Sequence, residues 1–535
     1  MKLFRRVSAL AMVLALILSM SISVWAADYV ATDYAGLEAA FGDTSGEDVN
    51  IDVQADIYGD YNVLNSQEGV NYTVSSNNGS TLEAVGFGGS GSVEVNVDVS
   101  NVGIMDEATV AINGDVTDGM YAMVDSNVTV NGDVSDGVYA SENSNVTVNG
   151  DVTAEAEYTS GVYAYGDASV TVNGDITSDD DGVYVSENAS VTVNGDITSD
   201  DEGVYASGNA SVAVKGDIVA GYVGVNANDD ASVTVDGNVS GADGDPDAVD
   251  DDDPYDWSDG GDGVEVYGNA SVAVSGNVSG GDSYGTYGYG GNGVEAFGNA
   301  TVTVGGNVTG GNVTADPDTE AATGSESIAG DAIEMSGNAT VSVGGNVTGG
   351  STNGDAGYSG AGVYIWCEDT EASGSVTVGG AVTAGTGENE NAGIAVDVYS
   401  LGDADGTTAV PGITVGSYDS IGGNVDGEPM TEEQLEEIKD NIKIAPKGES
   451  KTLSDTLWIN TLVKIRKAQA GDEITINAGG RTSMPAFVIK AVREYDVKLV
   501  IQWNGGDDLV ITKDFTAEIN GSIIQLKDLA EMLKK

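Results

Sequence analysis

The sequence predicts a mainly β protein: a β-solenoid of roughly 20-residue coils, followed by a small α/β domain. Three observations lead there. A VxVx segment closed by glycine, as in Val170-Thr-Val-Asn-Gly174, recurs with its glycine at Gly114, Gly132, Gly150, Gly174, Gly195, Gly216, Gly237, Gly276, Gly306, Gly345 and Gly380. Around these marks apolar and polar residues alternate with a period of two, the mark of a half-buried strand. The charge balance then changes near residue 439. Asp28 to Ile438 holds 73 acidic residues and a single basic one, Lys215, whereas Lys439 to Lys535 holds 15 Lys and Arg against 13 Asp and Glu.

The chain opens on an export signal. Lys2, Arg5 and Arg6 precede an apolar run from Val7 to Trp25, with Val24 and Ala26 where a signal peptidase reads, so residues 1–26 are expected to be a Sec-type signal peptide. An uncleaved membrane anchor is the alternative for a run of this length. No second hydrophobic span follows, so the mature chain is expected to be secreted or surface-associated without a transmembrane segment. Tyr34-Ala-Gly-Leu-Glu-Ala-Ala-Phe41 reads as a short amphipathic helix, with strands at Val49 to Val53 and around Asp56-Ile57. A solenoid end exposes an unpaired sheet edge and an open interior, so this helix is expected to cap the first coil.

Within one unit, residues 182–202 (GVYVSENASVTVNGDITSDDE), the alternation assigns faces. Val183 and Val185 point inward while Tyr184 and Ser186 point out. After a corner at Glu187-Asn-Ala189, Val191 and Val193 point inward, and Ile197 follows the Gly195-Asp196 turn. Three short strands per coil result. The valines stay wet until the next coil stacks ~4.8 Å away, and burial of roughly 1.5–3 kcal/mol per large apolar side chain, repeated along the stack, offsets the ordering entropy.

The units GVYASENSNVTVNGDV, GVYAYGDASVTVNGDI, GVEVYGNASVAVSGNV and GVEAFGNATVTVGGNV resemble the coils of right-handed parallel β-helix proteins, the pectate-lyase-like group that includes bacterial surface adhesins. The resemblance covers roughly residues 50–427. Left-handed β-helices keep a strict 18-residue coil, and the drift here to 21 and 24 departs from it; right-handed crossover is also the general preference between parallel strands. The domains expected are the signal peptide 1–26, a parallel β-helix over 27–427, an acidic helical linker over 428–450 and an α/β domain over 451–535.

Departures from the regular coil point to function. Insertions fall after the VSG or VTGG segment and before the next GVE or GVY strand, at roughly 241–262, 281–291, 311–330 and 351–360. Insertions at one phase of a solenoid gather on one side of it. The adjoining strand carries an outward column: Tyr121, Tyr139, Tyr163, Tyr184, Tyr205, Asn226, Glu265, Glu295, Glu334 and Tyr364. Two positions on come Tyr165, Tyr267, Phe297 and Trp366. Aromatic rings along a flat sheet suit stacking on sugar rings. The alternative is that tyrosine is a good exposed strand residue that stacks on its own copies. The ligand-binding candidates are therefore Tyr121, Tyr139, Tyr163, Tyr184, Tyr205, Tyr267, Tyr364 and Trp366.

Glu265, Glu295 and Glu334 are the candidate catalytic carboxylates, since adjacent coils hold them about 5 Å apart, the separation a retaining glycosidase uses. The same spacing arises wherever a repeat copies a glutamate. The resemblance implies lyases with a basic proton acceptor or glycosidases that pair Asp with His; the solenoid offers only Lys215, and the chain has no His. No catalytic activity is expected on that ground.

No cofactor is required by any motif. The loop from Asp243 to Asp256 is dense in hard oxygen ligands that suit Ca²⁺, with Asp243, Asp245, Asp247 and Asp250 as candidate ligands. It departs from the EF-hand pattern at Ala248 and Pro254, and a hydrated loop is the competing reading. Asn-x-Ser/Thr triplets such as Asn127, Asn145 and Asn188 mark turns rather than glycosylation sites. The glycines form no Walker or dinucleotide pattern. The single cysteine, Cys367, leaves no internal disulfide. An acidity of this size repels phosphate, which argues against nucleic acid and anionic membranes as partners.

Past the solenoid, Thr431-Glu-Glu-Gln434 is a capping box opening a helix to about Lys443. Leu457 to Ala470 reads as a helix, Glu473 to Ala478 as a strand and Pro485 to Glu494 as a helix. Val497 to Trp503 and Leu509 to Lys513 read as strands, and Leu526 to Leu533 as a last helix. The segment resembles small C-terminal modules of Gram-positive surface proteins, without an LPxTG-type sorting signal. The function expected is binding or adhesion, with a loop-decorated, Tyr-lined face presented to a carbohydrate or cell-surface partner. A polysaccharide-degrading enzyme and a structural spacer are the alternatives, and the oligomeric state is left open.

Overall fold

A computed structural model describes residues 27–156, 158–245, 257–285, 288–314, 327–352, 357–367, 374–387, 393–400, 412–425 and 428–444. In the C-terminal segment it describes 457–458, 461, 464–465, 468, 471–504, 506–515 and 523–534. The expected signal peptide and the candidate ligands Asp247 and Asp250 lie outside these residues. The chain divides into two compact units, Met1–Val152 with Asp167–Val170, and Thr153–Gly166 with Thr171–Lys535.

The first unit starts with a strand the sequence reading did not include, Ala27–Ala31, which pairs in parallel with Val49–Val53. Between them lies the expected helix, Tyr34–Phe41. Asp33 caps it, its carboxylate accepting from the Gly36 amide at 3.0 Å, which satisfies a donor that has no partner inside the helix. The apolar face of the helix explains its position. Leu37, Ala40 and Phe41 are buried, and the Phe41 ring stacks on Tyr72 with centroids 4.5 Å apart and lies 6.1 Å from Phe87. Large aromatic side chains thus pack together at the first described coil. The coils that follow are parallel and in register: Asn127–Val130 lies between Thr109–Ile112 and Asn145–Val148, and Met120–Ala122 pairs with Val138–Ala140.

In the second unit the repeat shows its three strands plainly, as Val183–Val185, Ser190–Val193 and Ile197–Ser199. Each pairs with its copy one coil on, Val183 with Val204, Val191 with Val212 and Ile197 with Ile218. Val183, Val185, Val191, Val193 and Ile197 are all at most 1% exposed, so the inward set is the one the alternation predicts.

Two features of the motif explain its polar letters. At the NGD or GGN turn the side-chain oxygen of one coil accepts the backbone amide of the next, from Asp175 through Asp196, Asp217, Asn238, Asn277 and Asn307, at 2.6–2.9 Å. This ladder takes over where the turn breaks strand pairing. The corner before the second strand needs a positive φ, met by Glu187 (61°) and Asp229 (59°) and by Gly208 (70°) and Gly298 (74°), a conformation glycine takes without steric cost.

Parallel pairing runs past residue 427. Helix Glu432–Asn441 carries the capping box between Thr431 and Gln434; it ends two residues before the expected Lys443, because Ile442–Ile444 turns into a strand paired with Ile413–Val415.

The C-terminal segment is a small α/β region with its own core, including Trp458, Val488, Val492, Leu499, Ile501 and Leu529. Strand Glu473–Gly479 pairs in parallel with Lys498–Trp503 across helix Ala486–Glu494, and Leu509–Ile511 adds antiparallel. Pro485 sits just outside the helix rather than in its first turn. It closes a short strand, Ser483–Pro485, that pairs with Ile523–Gln525 ahead of helix Leu526–Leu533. No helix among the described residues is long and apolar enough to cross a membrane.

Candidate binding face

The insertions are organised at their necks. Each leaves after the third strand of a coil (Val239–Gly241, Val278–Ser279, Val308–Thr309 or Val347–Thr348) and returns before the first strand of the next. Outgoing and returning legs interleave in one backbone ladder: the amides of Gly281, Gly291, Gly311, Gly330, Gly350 and Gly360 donate in turn to the carbonyls of Gly261, Gly281, Gly291, Gly311, Gly330 and Gly350 at 2.8–3.0 Å. Only glycine fits this row. A β-carbon on Gly311 would fall on the carbonyl oxygen of Gly281, and one on Gly330 on that of Gly291. The necks are thereby pinched together, and the arms themselves pair further out, where Ser283–Gly285 lies between Trp257–Ser258 and Val313–Thr314.

Two residues before each returning glycine stands an exposed side chain that the sequence reading did not single out. Tyr289, Ile328 and Tyr358 bridge one another coil to coil and are 50%, 42% and 52% exposed. The signal was present. Each lies six residues before a column residue, Glu295, Glu334 and Tyr364, but insertions of unequal length obscure that fixed offset.

The column itself is in register. Tyr205, Asn226, Glu265, Glu295, Glu334 and Tyr364 are successive cross-strand partners, and the row continues to Asp397, which the sequence reading missed. Three residues earlier in the coils a second polar row runs alongside. The Asn292 amide donates to Asp262, Asp331 to Asn292 at 2.6 Å, and Ala361 to Asp331 at 2.5 Å. The two rows meet: Asn292 Nδ2 donates to Glu295 Oε1 at 2.6 Å and to Glu334 Oε2 at 3.4 Å, and the Tyr267 hydroxyl donates to Glu265 Oε2 at 3.1 Å. Carboxylate oxygens of Asp262, Glu265 and Glu295 lie within 4.8 Å of one another.

Carboxyls that are largely withdrawn from water, with no basic side chain among them, resist ionisation, and here these are Glu202, Asp262, Glu295, Asp331 and Glu334. Burial is the largest cause for each, reinforced by neighbouring carboxylates. It lifts Glu202, Glu334 and Asp331 to about 7 and raises Glu295 and Asp262 above the usual carboxylate range, Asp262 also through Glu295. Burial, with Glu334 next, carries the Tyr364 hydroxyl to about 12.

The tyrosine candidates differ in how their rings meet. In the first unit Tyr121 and Tyr139 are partners with tilted rings 5.9 Å apart. In the second, Tyr163, Tyr184 and Tyr205 form a face-to-face pile with centroids 4.8 and 4.7 Å apart, so both faces of Tyr184 are covered by its own copies. Tyr267 stacks on Phe297 at 5.3 Å, and Trp366 meets Tyr399 edge-on at 6.2 Å. A sugar needs an open ring face, and this pile presents edges. Of the candidate calcium ligands within the described residues, Asp243 takes part in a coil ladder, its Oδ1 accepting the Asp282 amide at 2.8 Å, and the Asp245 backbone amide donates to the Ser258 hydroxyl at 2.8 Å.

Comparison with known proteins gives no family model, no curated protein and no solved structure that matches the chain.

Proposed function

We propose that the chain is an exported, surface-displayed β-helix protein that binds a carbohydrate or other cell-surface component through the insertion face. The observation that carries this reading is the exposed row Tyr289, Ile328 and Tyr358, held in register by the glycine necks beside a polar row. Soluble proteins rarely keep aligned apolar side chains in water without a partner for them. Half-exposed tyrosine rings on coils that also carry carboxyl and amide groups suit a polyhydroxylated ligand, which offers C–H faces and hydroxyl donors at once. A net charge of −67 restricts that ligand to neutral or cationic chemistry.

Binding of the mature protein to a glycan array and to cell-wall preparations tests the proposal. The double variant Tyr289→Ser/Tyr358→Ser should lose binding at least tenfold while melting as the parent does. A parent that binds no glycan and no wall preparation, or a double variant that binds equally well, ends it.

A further inference from the structure

We propose that the carboxyl rows of the insertion-bearing coils form a proton-operated latch: their acids share protons between coils, so this part of the β-helix tightens on acidification and loosens as the pH rises past neutrality.

The geometry carries the inference. Every residue of the first-strand row between Asn226 and Tyr364 is a glutamate, and each faces its like one coil away. From the returning legs, Asp262 and Asp331 face the same row, with Asn292 between them. Above Glu265, the strand Glu202–Ala206 contributes Glu202, whose Oε1 accepts from Asn226 at 2.9 Å. The corners beside Glu202 add Asp181 and Asp201, and the flanking hydroxyls are Tyr222, Tyr267 and Tyr364. Below Glu334, Asp397 continues the row, with Tyr399 two residues on. No Lys, Arg or His comes from any of these elements, since Lys215 is the one basic residue between Asp28 and Ile438.

Charged carboxylates at one coil spacing repel, and the neutral donors Asn292 and Tyr267 do not cancel their charge. A protonated carboxyl instead donates to its neighbour, converting repulsion into a hydrogen bond. Asp181 rises to about 6, and Glu202, Asp331 and Glu334 to about 7. These folded-state values lie above those of an unfolded chain, so the folded protein binds more protons across pH 4–8. The stabilisation is therefore complete below the ordinary carboxylate range and is lost as the pH climbs through 6 to 8. The latch is independent of the ligand proposed above, and its test reads stability rather than binding.

Thermal unfolding of the mature chain in EDTA, at pH 8, 7, 6 and 5.5, tests it against two triple variants of equal charge change. For the parent, Tm should rise by at least ~3 °C from pH 8 to 5.5. Glu202→Gln/Glu295→Gln/Glu334→Gln should melt above the parent at pH 8 and lose most of the rise. Glu68→Gln/Glu107→Gln/Asp118→Asn, at exposed positions, should keep it. A parent curve that is flat or falls on acidification overturns the proposal. So does an exposed variant that flattens the curve as much as the row variant, which would assign the effect to net charge. Infrared difference spectra of the parent supply a second readout should the row variant fail to fold: protonated carboxyls should be present at pH 7, and their absence overturns the latch.

Discussion

Tyr184 and Tyr289 are both partly exposed tyrosines on neighbouring lines of the coil, yet the structure gives them opposite work. Tyr184 lies between Tyr163 and Tyr205, and each such aromatic pair contributes about 0.5–1.5 kcal/mol beyond area burial. Tyr184→Ser should therefore destabilise the protein by roughly 1–3 kcal/mol, two pairs' worth, as read by denaturant unfolding, and leave ligand binding unchanged. Tyr289→Ser should do the reverse. The sequence shows that tyrosine recurs at one position of the coil and that the position points outward. It does not show whether the rings lie open or pile on one another, because that depends on side-chain angles set by neighbours a coil away. Asp243 adds a role that the acidic loop does not announce in the sequence, since its Oδ1 accepts the amide of Asp282 one coil on.

At the scale of elements, the N-terminal helix and the glycine necks are where local sequence and long-range packing agree. Helix Tyr34–Phe41 is legible from its apolar spacing; its role depends on Phe41 reaching Tyr72. Phe41→Ala should cost about 3–5 kcal/mol, with amide exchange rising first in Val49–Val53. In the sequence the necks are only glycines that close the VSG or VTGG segments where the insertions leave. Their reason is contact between backbones, so Gly311→Ala should destabilise by about 1–3 kcal/mol through overpacking and disturb the Tyr289, Ile328 and Tyr358 row, whereas Gly46→Ala meets no atom within 4 Å and pays only for its positive φ. The alternation in each coil gave the three strands and their inward valines directly, because a period of two has one face to bury. The short strand Ser483–Pro485 escaped notice, since its partner Ile523–Gln525 lies far along the chain and neither has a local pattern long enough to read.

Across the whole molecule, the dominant fact is one-signed charge on a fold held by repeated apolar burial. Ordinary globular proteins lose stability in mild acid as paired carboxylates are neutralised. Here the carboxyls of the acid rows are raised rather than lowered, so stability should increase as the pH falls toward 5 and diminish above 7. Screening acts in the same direction: at pH 8, raising salt from 0.01 to 0.15 M shortens the Debye length from ~30 to ~8 Å, and Tm should rise with it. The fold class was readable because each unit repeats its evidence many times, whereas the row of Tyr289, Ile328 and Tyr358 and the acid rows emerge only once the register of unequal insertions is known. Register is therefore what everything else depends on, and a disulfide reports it directly. In a Cys367→Ser background, Glu295→Cys/Glu334→Cys should oxidise readily, since partners on adjacent parallel strands fall within the ~4.4–6.8 Å Cα separation a disulfide spans, while Glu295→Cys/Met335→Cys, with the second thiol facing the interior, should stay reduced. Equal oxidation of both pairs, or of the second alone, would contradict the coil register.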